Sequence, residues 1–264
     1  MSVRVYLLSD IHVDYAGNMD WLAGLSNTDY HDDVLLLAGD VSDLPRLLER
    51  ALRLLVRKFG RVFFVPGNHE LWVRRCKTAD SMAKFDKVLA IAEDCGASTR
   101  PWQSDSLRIV PLFAWYDYSF GAPGDLLTAS WTDFHACVWA RGESPSSITE
   151  RFLAMNPPCD PDPDRFVISF SHFLPWIDVM PDHIPVRQRY LYPVLGSRRL
   201  GLQVNRLRPD IHAYGHSHVN QRCRIDGVEY VNNAYGYPSE TGISRKSLIS
   251  IYGDDPPMHE EATR

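Results

Sequence analysis

The stretch Val3-Arg4-Val5-Tyr6-Leu7-Leu8-Ser9-Asp10-Ile11-His12 decides how the rest of the chain reads, because a short apolar run stops abruptly at a carboxylate and an imidazole. The same grammar returns three times. Val34 to Ala38 runs into Gly39-Asp40, Arg61 to Val65 into Pro66-Gly67-Asn68-His69-Glu70, and Phe166 to Phe170 into Ser171-His172. Apolar runs of this length, bounded by turn residues, suit strands buried on both faces. The polar clusters then fall at the strands' carboxyl ends, where open α/β sheets place ligands.

Between the strands, Leu44, Leu47, Leu48, Ala51 and Leu55 recur at helical spacing among Arg46, Glu49, Arg50 and Arg53, which predicts an amphipathic helix. A second helix is expected from about Thr78 to Glu93, ending at Cys95-Gly96 with glycine in a stop position. Strand and helix alternate up to residue 96, so βαβ crossovers and a largely parallel first sheet follow. The second half is richer in β-structure. Leu107 to Trp115 reads as one or two strands, and Arg222 to Asn232 carries Asp226-Gly227 between alternating segments, a hairpin signal. Residues 117–145 and 173–200 are long connections, of the kind that cover or build a site. There is no internal repeat and no low-complexity tract.

The chain has 264 residues, of which 45% are hydrophobic, enough for a substantial core. Residues 1–252 are expected to form one domain and 253–264, with two prolines and several charges, a frayed tail. A net charge of −5 supplies no global positive field to hold nucleic acid or an anionic membrane. The N-terminus meets charge too early for a secretory signal, and no window reaches the roughly 18–20 apolar residues of a membrane span. The five cysteines (Cys76, Cys95, Cys137, Cys159, Cys223) never adopt CxxC spacing, which argues against a disulfide framework and a thiolate zinc site. A soluble protein of a reducing, cytoplasmic compartment is the expectation.

A lone aspartate at a strand end is usually a helix cap, and a lone histidine is usually structural. Five polar clusters in order carry more weight: Asp10-x-His12, Gly39-Asp40-x-x-Asp43, Gly67-Asn68-His69-Glu70, His172 and Gly215-His216-x-His218. Aspartates and imidazoles gathered at one sheet edge destabilise one another unless a cation joins them. Their oxygen and nitrogen donors suit manganese, iron or zinc. Seven such groups suffice for two divalent ions, and two ions about 3.5–4 Å apart form the usual clamp for in-line displacement at phosphorus.

These residues resemble the calcineurin-like metallophosphoesterases, whose ordered pattern is D-x-H, GD, GNH followed by E or D, H, and GHxH. The resemblance runs from Asp10 to His218, about four fifths of the chain. It implies a four-layer α/β/β/α sandwich, two mixed sheets flanked by helices, with a dinuclear metal site at the strand C-terminal ends. By the same resemblance Asp10, His12, Asp40 and His218 bind one ion, and Asp40, Asn68, His172 and His216 the other, with Asp40 bridging. His69 would contact the phosphate and help the leaving oxygen depart, and Asp43 would orient it.

Departures from the pattern narrow the class. Gly39-Asp40-Val41-Ser42-Asp43-Leu44-Pro45 lacks the Arg-Gly of protein serine/threonine phosphatases, and position 43 lacks the tyrosine of purple acid phosphatases. GDVSD, GNHE and GHSH also look like class III cyclic-nucleotide phosphodiesterases, so diester and monoester both stay open. Trp72, Arg74 and Arg75 after GNHE, Tyr116 at a strand end, and Trp176, Arg187 and Arg189 in the second long connection are candidate contacts for a phosphorylated small molecule or nucleotide. The rival to a phosphate-ester hydrolase is a non-catalytic scaffold such as the retromer subunit that shares the fold. The non-ligand histidine His69 favours catalysis.

Overall fold

The structure, a computed structural model, describes residues 3–253; the rest of the expected tail, 254–264, lies outside the described residues. In the first half β1 (Val5–Leu8), α1 (Ala16–Gly24), β2 (Val34–Leu37), α2 (Pro45–Lys58), β3 (Arg61–Phe64) and α3 (Ser81–Cys95) alternate. Then come β4 (Trp102–Gln103), β5 (Leu107–Pro111), α4 (Asp125–Ser130), α5 (Asp133–Ala136), α6 (Pro145–Ala154) and β6 (Phe166–Phe170). The chain continues through α7 (Arg198–Leu207), β7 (Ile211–Tyr214), β8 (Gln221–Ile225) and β9 (Val228–Asn232), and β10 (Ile249–Tyr252) returns to the start.

Two mixed sheets result, ordered β10-β1-β2-β3 and β4-β5-β6-β7-β9-β8. In the first, β1, β2 and β3 are parallel with Val5, Val34 and Arg61 in register, and β10 is the antiparallel edge. In the second, β5, β6, β7 and β9 are parallel, flanked by antiparallel β4 and β8.

The twofold side-chain alternation of the strands sorts the core into three layers of contact. Val5, Leu7, Val34, Leu36 and Phe63 meet Ile109, Ile168, Phe170, Ile211 and Val231 between the sheets. Their neighbours Tyr6, Leu8, Leu35, Leu37, Val62 and Phe64 face the other way, onto Leu48, Leu52 and Leu55 of α2 and Val88 and Ala92 of α3. On the outer face of the second sheet, Val110, Val167, Tyr214 and Tyr230 pack on Phe152 of α6 and on Leu200, Val204 and Leu207 of α7. That is the four-layer sandwich. Each fully buried aliphatic side chain in it contributes roughly 1.5–3 kcal/mol, so both strand faces are fixed in place and the strand ends with them.

The helices begin and stop for local reasons. Pro45 opens α2, and Arg57 and Lys58 lie in its last turn, where cations suit the helix dipole. The Asp80 carboxylate accepts from Ala83 N at 2.8 Å to cap α3, and Gly96 ends it at φ 91°. Asp226 (φ 49°) and Gly227 (φ 86°) turn the β8–β9 hairpin. Leu107 to Trp115 yields the single strand β5, which leaves the sheet after Pro111. Five helices escape the sequence patterns: α1 buries Asn18 with Met19 and Leu22 and so has no apolar stripe, the short α4 and α5 lie inside the expected 117–145 connection, α6 uses a Ser144–Ser147 capping box without an acidic partner, and α7 begins inside the expected 173–200 connection. Among the described residues, no helix is long and apolar enough to cross a membrane, and all five cysteines are free.

Candidate metal centre

Five of the seven expected ligands sit in left-handed backbone: Asp10 (φ 52°), His12 (42°), Asp40 (55°), His216 (67°) and His218 (55°). Each such residue costs on the order of 1–3 kcal/mol and persists only where its surroundings over-determine it. Asp10 N donates to Gly39 O and His12 N to Asp40 O, both at 3.0 Å, so the turn after β1 is stitched to the turn after β2. The Asp10 carboxylate accepts from His216 N at 3.1 Å, and Asp40 Oδ1 accepts from His69 N at 2.9 Å. Beneath them the fully buried Glu70 accepts from the backbone N–H groups of Asp40 (2.9 Å), Val41 (2.7 Å), Ser42 (2.9 Å) and Gly67 (2.7 Å). Gly39 is required at φ 83°, because a Cβ there would lie 2.5 Å from His172 Nδ1.

The hydrogen-bond partners fix the imidazole tautomers. His172 Nδ1–H donates to Ala38 O at 2.8 Å, which leaves Nε2 as a bare lone pair. His216 Nε2–H donates to Val194 O at 3.0 Å, which leaves Nδ1 bare. Those two bare nitrogens lie 3.1 Å apart, and Asn68 Oδ1 is 3.1 Å from His172 Nε2 while its Nδ2 donates elsewhere, to Asp133 Oδ1 at 2.8 Å. Three acceptors without a proton between them repel one another, and a cation reverses that sign. On the other side, His218 Nε2 lies 3.1 Å from His12 Nε2 and 3.3 Å from Asp10 Oδ1. Asp40 is within reach of both clusters, with Oδ2 3.5 Å from His172 Nε2 and a ligand oxygen grouped with His12 and His69. Two adjoining sets, Asp10/His12/His218 and Asp40/His172/His216, can therefore each hold a metal ion, with Asn68 beside the second. The nitrogen and carboxylate donors fit a borderline divalent ion.

Charge is distributed to match. Burial lowers the His172 and His216 pKa values and takes His12 to about 3, so these rings are neutral, the form that ligates. Burial alone would lower His218 too, but Asp10 and Glu240 outweigh it and raise it to about 9. Asp10 is the reciprocal case: burial pushes its carboxyl up, and His218 holds it below the usual range. Burial and the nearby Glu70 and Asp10 carboxylates raise Asp40 well above the ordinary value. A shared carboxylate in that position ionises readily only beside a cation.

His69 stacks on Trp72, ring centroids 3.6 Å apart, with Nε2 3.6 Å from Asp40 Oδ2. Burial holds it well below the usual imidazole pKa. Asp43 opens onto the same pocket, but its carboxylate is engaged by Arg75 Nε and Nη2 at 2.9 and 2.6 Å, and among the described residues no hydrogen bond joins it to His69. The pocket has a volume of about 480 Å³; Trp72, Arg74 and Arg75 line it, as do Tyr15 and Tyr237.

The other candidate contacts are not part of that lining. Tyr116 is buried in the outer core against Trp115 and Phe173, and Trp176 packs over Gly201 of α7. Arg187 is exposed, and Arg189 folds back onto Ile184 O and Asp182 O at 3.1 and 3.0 Å. Within the 173–200 connection, Trp176 is thus committed to packing on α7 and Arg189 to the loop's own backbone. Asp133, which opens the four-residue helix α5, and Tyr237 and Glu240, in an aperiodic loop, stand outside any sequence motif, and Glu70 is legible only as the tail of one.

A two-sheet sandwich whose strand ends bring imidazoles and carboxylates into two adjoining sites is a frame that can hold divalent ions. The sequence profile of the calcineurin-like phosphoesterases matches residues 3–220, and the chain belongs to that family. It is a phosphoesterase. An acyl-carrier-protein phosphodiesterase, PptH, of Mycobacterium tuberculosis is 28% identical over 262 residues, spanning 89% of this chain and 78% of that protein. The crystal structure of the phosphopantetheinyl hydrolase PptH from the same organism superposes with a TM-score of 0.74 at 23% identity, over 96% of this chain and 97% of that one.

Proposed function

We propose that this protein hydrolyses a phosphodiester with two divalent metal ions, and that its substrate is a phosphopantetheinyl ester carried on a protein. The observation that carries the metal-dependent reading is the meeting of three acceptors, with His216 Nδ1 and Asn68 Oδ1 each 3.1 Å from His172 Nε2. The likeness to an acyl-carrier-protein phosphodiesterase supports a diester over a monoester. Free thiols throughout agree with a cytoplasmic setting.

In this reading Asp10, His12 and His218 hold one ion, Asn68, His172 and His216 the other, and Asp40 stands between them. Bound there, divalent ions polarise the phosphoryl oxygens and lower the pKa of water towards neutrality. The protein's own groups do the rest. Neutral His69, held flat against Trp72, offers an N–H to the leaving oxygen. Among the described residues Arg74 is the pocket-wall cation left without a carboxylate partner, since Arg75 pairs with Asp14 and Asp43 of the same wall, and Trp72, Tyr15 and Tyr237 give the wall apolar area for the organic arm. Asp43, held by Arg75, would orient His69 only if Arg75 released its carboxylate.

The test combines metal analysis with turnover of holo-acyl carrier protein, bis(p-nitrophenyl) phosphate and p-nitrophenyl phosphate in manganese, iron or zinc. Release of phosphopantetheine and cleavage of the aryl diester above the monoester are expected. Monoester preference, or no turnover with metal bound, would sink it.

A further inference from the structure

Asp133, in the short helix α5, is 2% exposed and has no part in the reading above beyond its contact with Asn68. Its Oδ1 accepts from Asn68 Nδ2 at 2.8 Å and from Trp72 Nε1 at 2.6 Å; its Oδ2 accepts from Trp131 Nε1 at 2.8 Å. A buried carboxylate costs several kcal/mol to desolvate, and an apolar side chain of similar volume would fill the space more cheaply. What distinguishes Asp133 is where its donors lead. Asn68 faces His172 Nε2, Trp72 stacks on His69, and Trp131 meets His216 edge-on, centroids 5.8 Å apart at 89°.

We propose that Asp133 is a positioning residue that sets Asn68 towards the metal and, through Trp72, sets His69 towards the leaving oxygen. This rests on the assignment of Asn68 and His69 made above. An ionised carboxylate only accepts, so Asn68 must turn its NH2 to Asp133 and its oxygen to the opposite side, where a cation needs it. An indole N–H only donates, so Trp72 is pinned to the same oxygen and its ring is fixed as the floor under His69. Ligand orientation and leaving-group orientation thereby share one anchor.

Two substitutions separate the links. Asp133→Asn keeps the volume but puts an NH2 against an indole N–H or against the Asn68 amide, which frees Asn68 to flip. Trp72→Phe keeps an aromatic face and deletes the N–H. Calorimetric titration of the metal-free full chain with manganese alone is expected to show Asp133→Asn binding one of two ions ~10–100-fold more weakly, with the other unchanged. Trp72→Phe is expected to bind both ions as wild type and to lose kcat on bis(p-nitrophenyl) phosphate with KM unchanged, and that loss should vanish in a His69→Ala background. A folded Asp133→Asn that binds both ions normally overturns the Asn68 link. If Asp133→Asn does not fold, the Trp72→Phe cycle decides: a kcat loss that persists without His69, or no loss at all, overturns the proposal. Wild-type protein that takes up no manganese would overturn the functional reading itself, which is a different result from normal wild-type binding with an unaffected variant.

Discussion

Glu240 Oε2 lies 2.6 Å from His218 Nδ1, on the far side of the imidazole from Asp10, whose Oδ1 is 3.3 Å from Nε2. A carboxylate behind a ligating histidine fixes the ring and raises its basicity, and losing it typically costs about 10–100-fold in metal affinity. Glu240→Gln is therefore expected to weaken manganese binding by that order, read by calorimetry. In metal-free protein the same pair has a pH signature. The folded-state pKa of His218, about 9, stands above its unfolded value of 6.5. Its stabilising contribution is thus complete below pH 6.5 and is lost as pH rises through about 9. The gap in melting temperature between wild type and Glu240→Gln should be widest in mild acid and shrink by that pH; a gap that widens with pH would contradict the pairing.

Removing a ligand and removing His69 should give different phenotypes. Asp40→Asn and His172→Ala are expected to lose metal and to lower turnover by orders of magnitude. His69→Ala should retain metal and lose on the order of 10²–10⁴-fold in kcat, the usual worth of a proton-transfer group. Elemental analysis beside steady-state kinetics separates the two. Near-normal turnover in metal-replete Asp40→Asn would contradict its place between the ions.

The clustered aspartates and histidines were legible because they follow strands whose apolar runs are themselves legible, and a turn residue such as Gly39 or Gly67 marks the stop. The supporting carboxylates were not, for a physical reason. Asp133 and Glu240 act across 65 and 22 residues of chain on Asn68 and His218, and they come from a single-turn helix and a loop, neither with a period to give it away. The same holds for Trp176 and Arg189, whose residue types suit a pocket but whose loop folds on itself. Among the strands, only the two-residue β4 and the antiparallel edge β10 lay outside the patterns, both too short or too mixed in polarity to stand out.

Asp43 and Arg75 make a sharper test of the dyad implied by family likeness. Because the Asp43 carboxylate is bound to Arg75 at 2.6 and 2.9 Å, and Arg75 also pairs with Asp14, neutralising Asp43 removes an ion pair before it touches His69. Asp43→Asn is expected to lower kcat by less than His69→Ala. Equal losses, non-additive in the double variant, would show that the two act as one unit.

Glu70 should matter for stability more than for chemistry. Its Oε1 takes the N–H groups of Val41 and Ser42, and its Oε2 those of Asp40 and Gly67. Glu70→Gln sets an NH2 against two of these donors, leaving them buried without an acceptor. Each lost bond to a charged group is worth roughly 1.5–3 kcal/mol, so a clear drop in the denaturation midpoint is expected, with metal binding weakened because Asp40 loses its backbone anchor. Denaturation of the metal-free protein isolates the first effect, and an unchanged midpoint would argue against it.

His212, fully buried on β7 between Ser169 Oγ (2.8 Å from Nδ1) and Ser171 Oγ (3.0 Å from Nε2), predicts an acid limit independent of the metals. Burial takes its pKa to about 3, below the unfolded 6.5. As pH falls below 6.5 the unfolded chain gains a proton there and the folded one does not, so stability declines by about 1.4 kcal/mol per pH unit until about pH 3. His212→Asn, which titrates in neither state, should flatten that part of the acid slope even if it lowers the stability at neutral pH. Urea denaturation of metal-free protein at several pH values between 4 and 6.5 measures the slope directly, and an identical slope in the variant would remove His212 from the account of acid sensitivity.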